Sequence, residues 1–446
     1  MSSLSKAENT ISLIAHLKKS KVQLKSCMAM NRILSLLLAL WATLCICAQP
    51  WAAKAVVKPG IEVLRDHGFR ELEGLRVGLI TNPTGIDNDF RTTVQILKEA
   101  ANVKLVSLFA PEHGIYGDAH QGVRSTEKFD SISGLPIHSL YGRSLKPTPE
   151  MLKGLDAVVY DIQDNGCRSF TYISTMGCAM EACAENKVRF VVLDRPNPLG
   201  GERVEGCIAQ PDVMSMVSRY RIPYLYGLTP GELAMALNDM RLLDNGVQCD
   251  LKVVPMEGWR RKMLFSETGM PFVMPSAHIP NAETYNYYPA TGILGELYYV
   301  SNGVGYTLPF QLVGASWIRA HEFADAMNAL NLPGVMWRPF FYQPFFSTSK
   351  GEYIQGCQLY IDPHTTTSLT MIQFYAMQEL ARLYPAHKVL SPTAAPKRYA
   401  MFDSVCGTRS IRARFATQYR VEDILPTWNK GVEEWKEKTE KYRLYE

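Results

Sequence analysis

The amino-acid sequence predicts an α/β protein: a doubly wound domain over residues 56–228, a second domain over 229–446, and a leader over 1–55. Three observations predict it. Beyond the leader, short apolar runs alternate with helical patterns, as in a parallel sheet with crossover helices. Each apolar run ends in a polar, turn-forming loop. The composition then changes after Pro230, where a stretch rich in Pro, Gly, Asn and Tyr follows.

In chain order, residues 76–81 (RVGLIT) read as a strand, 90–100 as a helix and 103–109 (VKLVSLF) as a second strand. A third strand is expected at 157–161 (AVVYD), a helix at 175–186 and a fourth strand at 190–194 (FVVLD). The start signal Thr229-Pro-Gly-Glu232 opens a helix through Met240, the marker of a new domain. Residues 271–310 read as strand and loop, followed by helices at 321–330 and 368–383 and a charged amphipathic helix at 427–442. No internal repeat is visible.

At 446 residues the chain exceeds what one hydrophobic core usually serves, so two cores are expected. Hydrophobic residues at 47% and charged residues at 20% are ordinary globular values, which excludes disorder. The formal charge of +4 includes Lys18, Lys19, Lys21 and Lys25 of the leader, so no nucleic-acid footprint follows.

Arg32 precedes an apolar run, and small and breaker residues follow near Ala48, Pro50 and 52–55, in the pattern of a signal peptide. Counted through Ala48 the run is about 16 residues, short of the roughly 20 a spanning helix needs. An exported, periplasmic or secreted protein without a membrane span is therefore expected, cleaved after Ala48 or Ala55. Met28 or Met30 would make a conventional start. Cys45 and Cys47 raise the alternative of lipid attachment, but neither follows the small residues that normally precede a lipidated cysteine.

Removing Cys27, Cys45 and Cys47 with the leader leaves seven of the ten cysteines. They form no CxxC pair and have no histidine at zinc-ligand spacing, so no structural metal is expected. Buried, small hydrophobic roles fit them better.

In a doubly wound sheet, the loops after the strands' carboxyl ends gather along one edge, where ligands bind. Here those loops carry Asn82 after the first strand, Glu112 and His113 after the second, Asp161, Asp164 and Arg168 after the third, and Asp194, Arg195 and Asn197 after the fourth. Four separate segments thus deliver carboxylates, amides and cations to one rim. The first loop, Asn82-Pro-Thr-Gly85, lacks the GxGxxG of a dinucleotide site, which argues against nucleotide binding.

Several long segments together resemble one family, the exo-β-N-acetylmuramidases, long catalogued as a domain of unknown function. They are FAPEHGIYGD (109–118), SLYGRSLKPTPEML (139–152), VVYDIQDNGCRSFTYISTM (158–176) and VLDRPNPLGG (192–201). The resemblance continues through YGLTPGELA (226–234), TGMPFVMPSAHIPNAETYNYYPATGILGE (268–296) and PFQLVGASW (309–317), and so spans essentially the whole mature chain. It implies a Rossmann-like N-terminal domain bearing the catalytic carboxylate, and a smaller mixed α+β C-terminal domain closing one side of the cleft. The implied reaction is release of terminal N-acetylmuramic acid from the non-reducing ends of peptidoglycan fragments, with no cofactor. The family's catalytic glutamate, in its PEHG motif, falls on Glu112.

Glycoside hydrolysis needs a proton for the leaving oxygen and stabilisation of an oxocarbenium-like centre, typically from two carboxyl groups. Glu112 is the candidate acid, because an apolar wall at a strand end would raise its pKa. Asp161, Asp164 and Asp194 are candidates for the second role, with Asp194 equally suited to ordering its own turn. Alternatively the sugar's own acetamido group is the nucleophile, with an aspartate orienting it. Arg168 and Arg195 suit a lactyl carboxylate by planar bidentate geometry, though either would pair as readily with Asp161 or Asp164. Asn82, His113 and Asn197 are candidate hydrogen-bonding groups. Tyr288 is a candidate stacking ring, and Glu296 is a candidate substrate contact from the second domain. Compared with the family pattern the chain departs at Leu225, Tyr226 and Gly227, at Gly303 to Tyr306, and at Ala277 and His278. Two of these departures lose an arginine, so muramic acid specificity is less secure than glycoside hydrolysis itself.

Overall fold

The apolar runs do form parallel strands. In a computed structural model, which describes residues 56–119, 128–142 and 144–446, the first five are β1 (Arg76–Thr81), β2 (Lys104–Ala110), β3 (Ile137–Ser139), β4 (Ala157–Asp161) and β5 (Arg189–Leu193). A short antiparallel pair follows, β6 (Val204–Glu205) and β7 (Leu225–Tyr226), and then β8 (Leu251–Val254). The six-stranded sheet has the order β3-β2-β1-β4-β5-β8 with every pairing parallel. The chain runs outward from β1 to β3, then returns to lay β4 beside β1. The loops after β1 and β4 therefore part in opposite directions, which opens a crevice there. The expected leader and its signal sequence lie outside the described residues.

Alternate side chains along each strand enter opposite cores, as the two-residue period requires. Ile80, Val158, Tyr160, Phe190 and Val192 face a large cluster that includes Ile173 and Met176 of helix Tyr172–Asn186 and Leu233 and Leu237 of helix Pro230–Asp239. Val77, Leu79, Val159, Val191 and Leu193 face a smaller one with Ile61 and Leu64 of helix Gly60–Asp66 and Ile96 and Leu97 of helix Thr93–Glu99. The cores thus divide across the sheet. The larger one runs without a break into the C-terminal region, reaching Phe374, Phe415 and Trp428, and β8 joins the first sheet from beyond residue 229.

The C-terminal region builds an antiparallel sheet of β9 (Leu312–Ala315), β10 (Val335–Tyr342) and β11 (Ile354–Ile361), in the order β10-β11-β9. Helices Ala320–Ala329 and Leu369–Leu383 stand where expected. Residues 284–295 do not: the stretch read as strand and loop contains helix Thr284–Gly295. It is buried on nearly every side, through Tyr285, Tyr287, Ala290, Ile293 and Leu294, so it has no polar face to show a helical period. Buried Gln373 secures it, donating to the carbonyl of Pro289 (2.8 Å) and accepting from the Leu294 N–H (3.0 Å). The expected C-terminal helix is also broken, into Leu425–Trp428 and Val432–Thr439, because Gly431 turns the backbone left-handed between them (φ 85°). Among the described residues no helix is long and apolar enough to cross a membrane. The seven described cysteines are buried free thiols.

Candidate active site

Glu112 sits on the turn that ends β2. The next two residues, His113 (φ 70°) and Gly114 (φ 81°), both take the left-handed conformation. For His113 that backbone costs about 1–3 kcal/mol and persists only where its surroundings enforce it. Here they do: the His113 Nδ1 hydrogen-bonds the Ala119 carbonyl (2.9 Å), and the Ala119 N–H returns a bond to the His113 carbonyl (3.1 Å). A carbonyl only accepts, so Nδ1 carries the proton.

This turn directs Glu112 and His113 into a cleft of about 460 Å³, within the roughly 300–1,000 Å³ usual for small-ligand sites. The Thr171 hydroxyl, immediately before helix Tyr172–Asn186, donates to Glu112 Oε2 at 2.7 Å. Tyr141 also hydrogen-bonds this carboxylate. Its phenol is pushed up to about 12 by burial, by the charge of Glu112 and by that hydrogen bond. Two hydroxyl donors from different segments therefore orient one carboxylate.

Further lining comes from the C-terminal region, through Tyr288 and Glu296 of and just after helix Thr284–Gly295, with Val304 and Phe310. Arg398 Nη2 binds Glu296 Oε2 at 2.7 Å, and its Nε reaches the Glu296 carbonyl at 2.8 Å. Burial raises the pKa of Glu296; Arg398 opposes that and the negative charge of Glu112 adds to it. Both glutamates line the same cleft. Tyr288 packs between Phe170 (5.7 Å, 87°) and Phe310 (4.9 Å, 64°), and its hydroxyl meets Ser169 at 3.1 Å. It is a wall of the cleft braced by two other rings.

The remaining predicted site residues lie beneath this surface. Asp161 is fully buried and ion-paired with Arg195, whose Nε and Nη2 reach its two oxygens at 2.5 and 3.0 Å; the Thr93 hydroxyl donates to it as well. The other bond of Arg195 goes to the Ile86 carbonyl (2.8 Å), so its guanidinium serves the loop after β1 and not the cleft. Arg168 spends its donors on the carbonyls of Cys207, Ile222 and Val405 and on the Ser218 hydroxyl. Through Val405 it ties helix Tyr399–Cys406 to residues 207–222, and it is not placed to meet a substrate anion. Asp194 accepts from the N–H groups of Arg195 and Gly231 and the hydroxyls of Thr229 and Tyr445, which ties the start of helix Pro230–Asp239 and the chain's end to β5. Burial pushes its carboxyl up to about 7 against those donors. Asn197 bonds the Leu228 carbonyl and the Leu199 N–H, and Asn82 accepts from the Thr84 N–H and hydroxyl; both shape turns.

Asp164 is buried one layer behind the cleft, receiving the Tyr226 hydroxyl and the Gly166 N–H (2.7 Å). Burial pushes its carboxyl up to about 7, and those two bonds pull the other way. Of the predicted residues, then, Glu112, His113, Tyr288 and Glu296 meet at the cleft, and the others do not line it. Thr171, Tyr141 and Arg398 were not anticipated. Thr171 and Tyr141 lie inside the motifs SFTYISTM and SLYG, but nothing local says that their hydroxyls turn toward a strand end far away in sequence. Among the departures, Val304 and His278 line the cleft, whereas Tyr226 acts one layer below through Asp164.

Residues 77–283 match the N-terminal family model of exo-β-N-acetylmuramidase NamZ, and 286–445 match the C-terminal one. The chain is 40% identical to the peptidoglycan β-N-acetylmuramidase NamZ of Bacillus subtilis (strain 168) over 394 residues, 88% of this chain and 92% of that protein. Two DUF1343 family crystal structures from Bacteroides fragilis NCTC 9343 are also similar. One superposes with a TM-score of 0.84 at 52% identity (88% of this chain, 100% of that chain), the other with 0.67 at 27% (87% and 99%). With both halves matched in order and the cleft formed between them, the chain belongs to the exo-β-N-acetylmuramidase NamZ family.

Proposed function

We propose that the chain removes terminal N-acetylmuramic acid from the non-reducing ends of peptidoglycan fragments, with Glu112 as the general acid and base. The chain is a glycoside hydrolase by family, and the relative from Bacillus subtilis is a peptidoglycan β-N-acetylmuramidase. The observation that carries the reading is the Glu112 carboxylate, oriented by Thr171 and Tyr141 in the wall of a cleft that Glu296 also lines.

Glu112 protonates the glycosidic oxygen as the bond breaks, then takes a proton from the water that completes hydrolysis. The negative partner such a reaction needs is Glu296 in place of Asp161 or Asp164, because neither aspartate borders the cleft. Held by Arg398, Glu296 is positioned to stabilise the positive centre or to orient the sugar's acetamido group as it attacks.

The test compares a chromogenic N-acetylmuramide with the matching N-acetylglucosaminide for wild type, Glu112→Gln and Glu296→Gln. Wild type releases the chromophore from the muramide only, Glu112→Gln abolishes release, and Glu296→Gln lowers kcat more than it raises KM. Undiminished turnover by Glu112→Gln would overturn the assignment.

A further inference from the structure

Between β10 and β11 the chain extends a loop over residues 343–353 that carries Phe345 and Phe346, 57% and 41% exposed. Adjacent exposed rings of this size belong to no core and mark a contact surface. The loop is anchored: the N–H groups of Phe345 and Phe346 both reach the Gly305 carbonyl, at 2.8 and 3.4 Å. Gly305 has φ +99°, and a Cβ there would come within 2.0 Å of the Phe346 carbonyl oxygen, so only glycine permits this seating.

The rings are continuous with the cleft. Ser347 and Thr348, next in the chain, line it, and so does His278, whose ring stacks on Phe346 (5.8 Å, 24°). Phe346 meets Phe345 at 5.8 Å, and Phe345 meets Tyr306 at 6.0 Å. A contiguous strip of aromatic rings therefore adjoins the cleft wall.

We propose that this strip binds the sugars on the leaving side of the scissile bond, making the enzyme one that reads glycan length beyond the terminal residue. The inference rests on the exo-acting reading above. An exo enzyme keeps one sugar on the terminal side, so the remainder of the strand must leave along the cleft mouth. Pyranose rings offer an apolar C–H face that packs on aromatic faces while their hydroxyls stay in water. The position beside His278 favours this occupant over a second protein copy.

The experiment measures kcat/KM for a chromogenic N-acetylmuramide and for muramic-acid-capped di- and tetrasaccharides of alternating amino sugars. It uses wild type, a Phe345→Ala/Phe346→Ala double variant and a Phe345→Tyr/Phe346→Tyr double variant. Wild type gains on the tetrasaccharide, the alanine variant loses about tenfold there with the chromogenic substrate changed less than about twofold, and the tyrosine variant recovers. Equal loss on every substrate, or no length dependence in wild type, overturns the proposal. So does a change of mass by light scattering in the alanine variant without length dependence, which would assign the strip to a second copy. If wild type cleaves nothing, the hydrolase reading fails by itself. Calorimetric binding of the tetrasaccharide then decides the inference, which stands if binding weakens about tenfold in the alanine variant and falls if binding is unchanged or absent in wild type.

Discussion

Replacing Asp161 by asparagine separates a structural from a catalytic aspartate. The side chains of Asp161 and Arg195 are 0% and 2% exposed, and two charge-assisted hydrogen bonds join them. Asparagine keeps one acceptor and removes the charge, so the guanidinium stays inside the protein facing only neutral oxygens, that of the asparagine and the Ile86 carbonyl. Breaking one side of such a buried pair costs about 3–5 kcal/mol, most of it the burden of the uncompensated cation. In urea unfolding the midpoint of Asp161→Asn should fall with an unchanged slope. Because Asp161 does not line the cleft, kcat/KM of the folded fraction should stay within about threefold of wild type. Native-like stability with activity reduced by about a hundredfold would refute the reasoning and return Asp161 to the reaction.

Two further outcomes follow from the layers around the cleft. The Asp164 carboxyl is raised from 3.8 to about 7, so the folded state holds a proton the unfolded chain has lost, and the group's stabilising contribution falls as pH rises from 3.8 to 7, by about 4 kcal/mol at most. The phenols of Tyr160, Tyr172, Tyr226 and Tyr285 and the Cys167 thiol around it are all raised by burial and stay neutral across that range. The stability of wild type minus that of Asp164→Asn, from denaturation at pH 4.5 and 8, should therefore decline with pH, and a flat difference would contradict the burial. Thr171→Val removes one of the two hydroxyls orienting Glu112 and should lower kcat by about tenfold or more with little change in KM, measured on the chromogenic muramide.

The strand pattern was legible because it is local. Alternating apolar runs ending in polar loops specify parallel strands and the edge where their loops meet, and the PEHG motif marks Glu112 on that edge. Helix Thr284–Gly295 was not legible, because a helix buried all round shows no period. The depth of each polar loop residue was equally hidden. Asp161, Asp164, Asp194, Arg168 and Arg195 have the composition of a binding site, and their spacing places them on the correct rim.

What the sequence determined by itself was the class of sheet, the edge where its polar loops meet and the place of Glu112 on that edge, since these follow from periodicity and motif. What the tertiary structure alone decided was which charges reach the cleft. Arg195 closes on Asp161, Arg168 closes on backbone carbonyls and Glu296 arrives from the distant half of the chain. A buried ion must find partners wherever the fold supplies them, and that pairing is set by distances across the core, which residue order does not record.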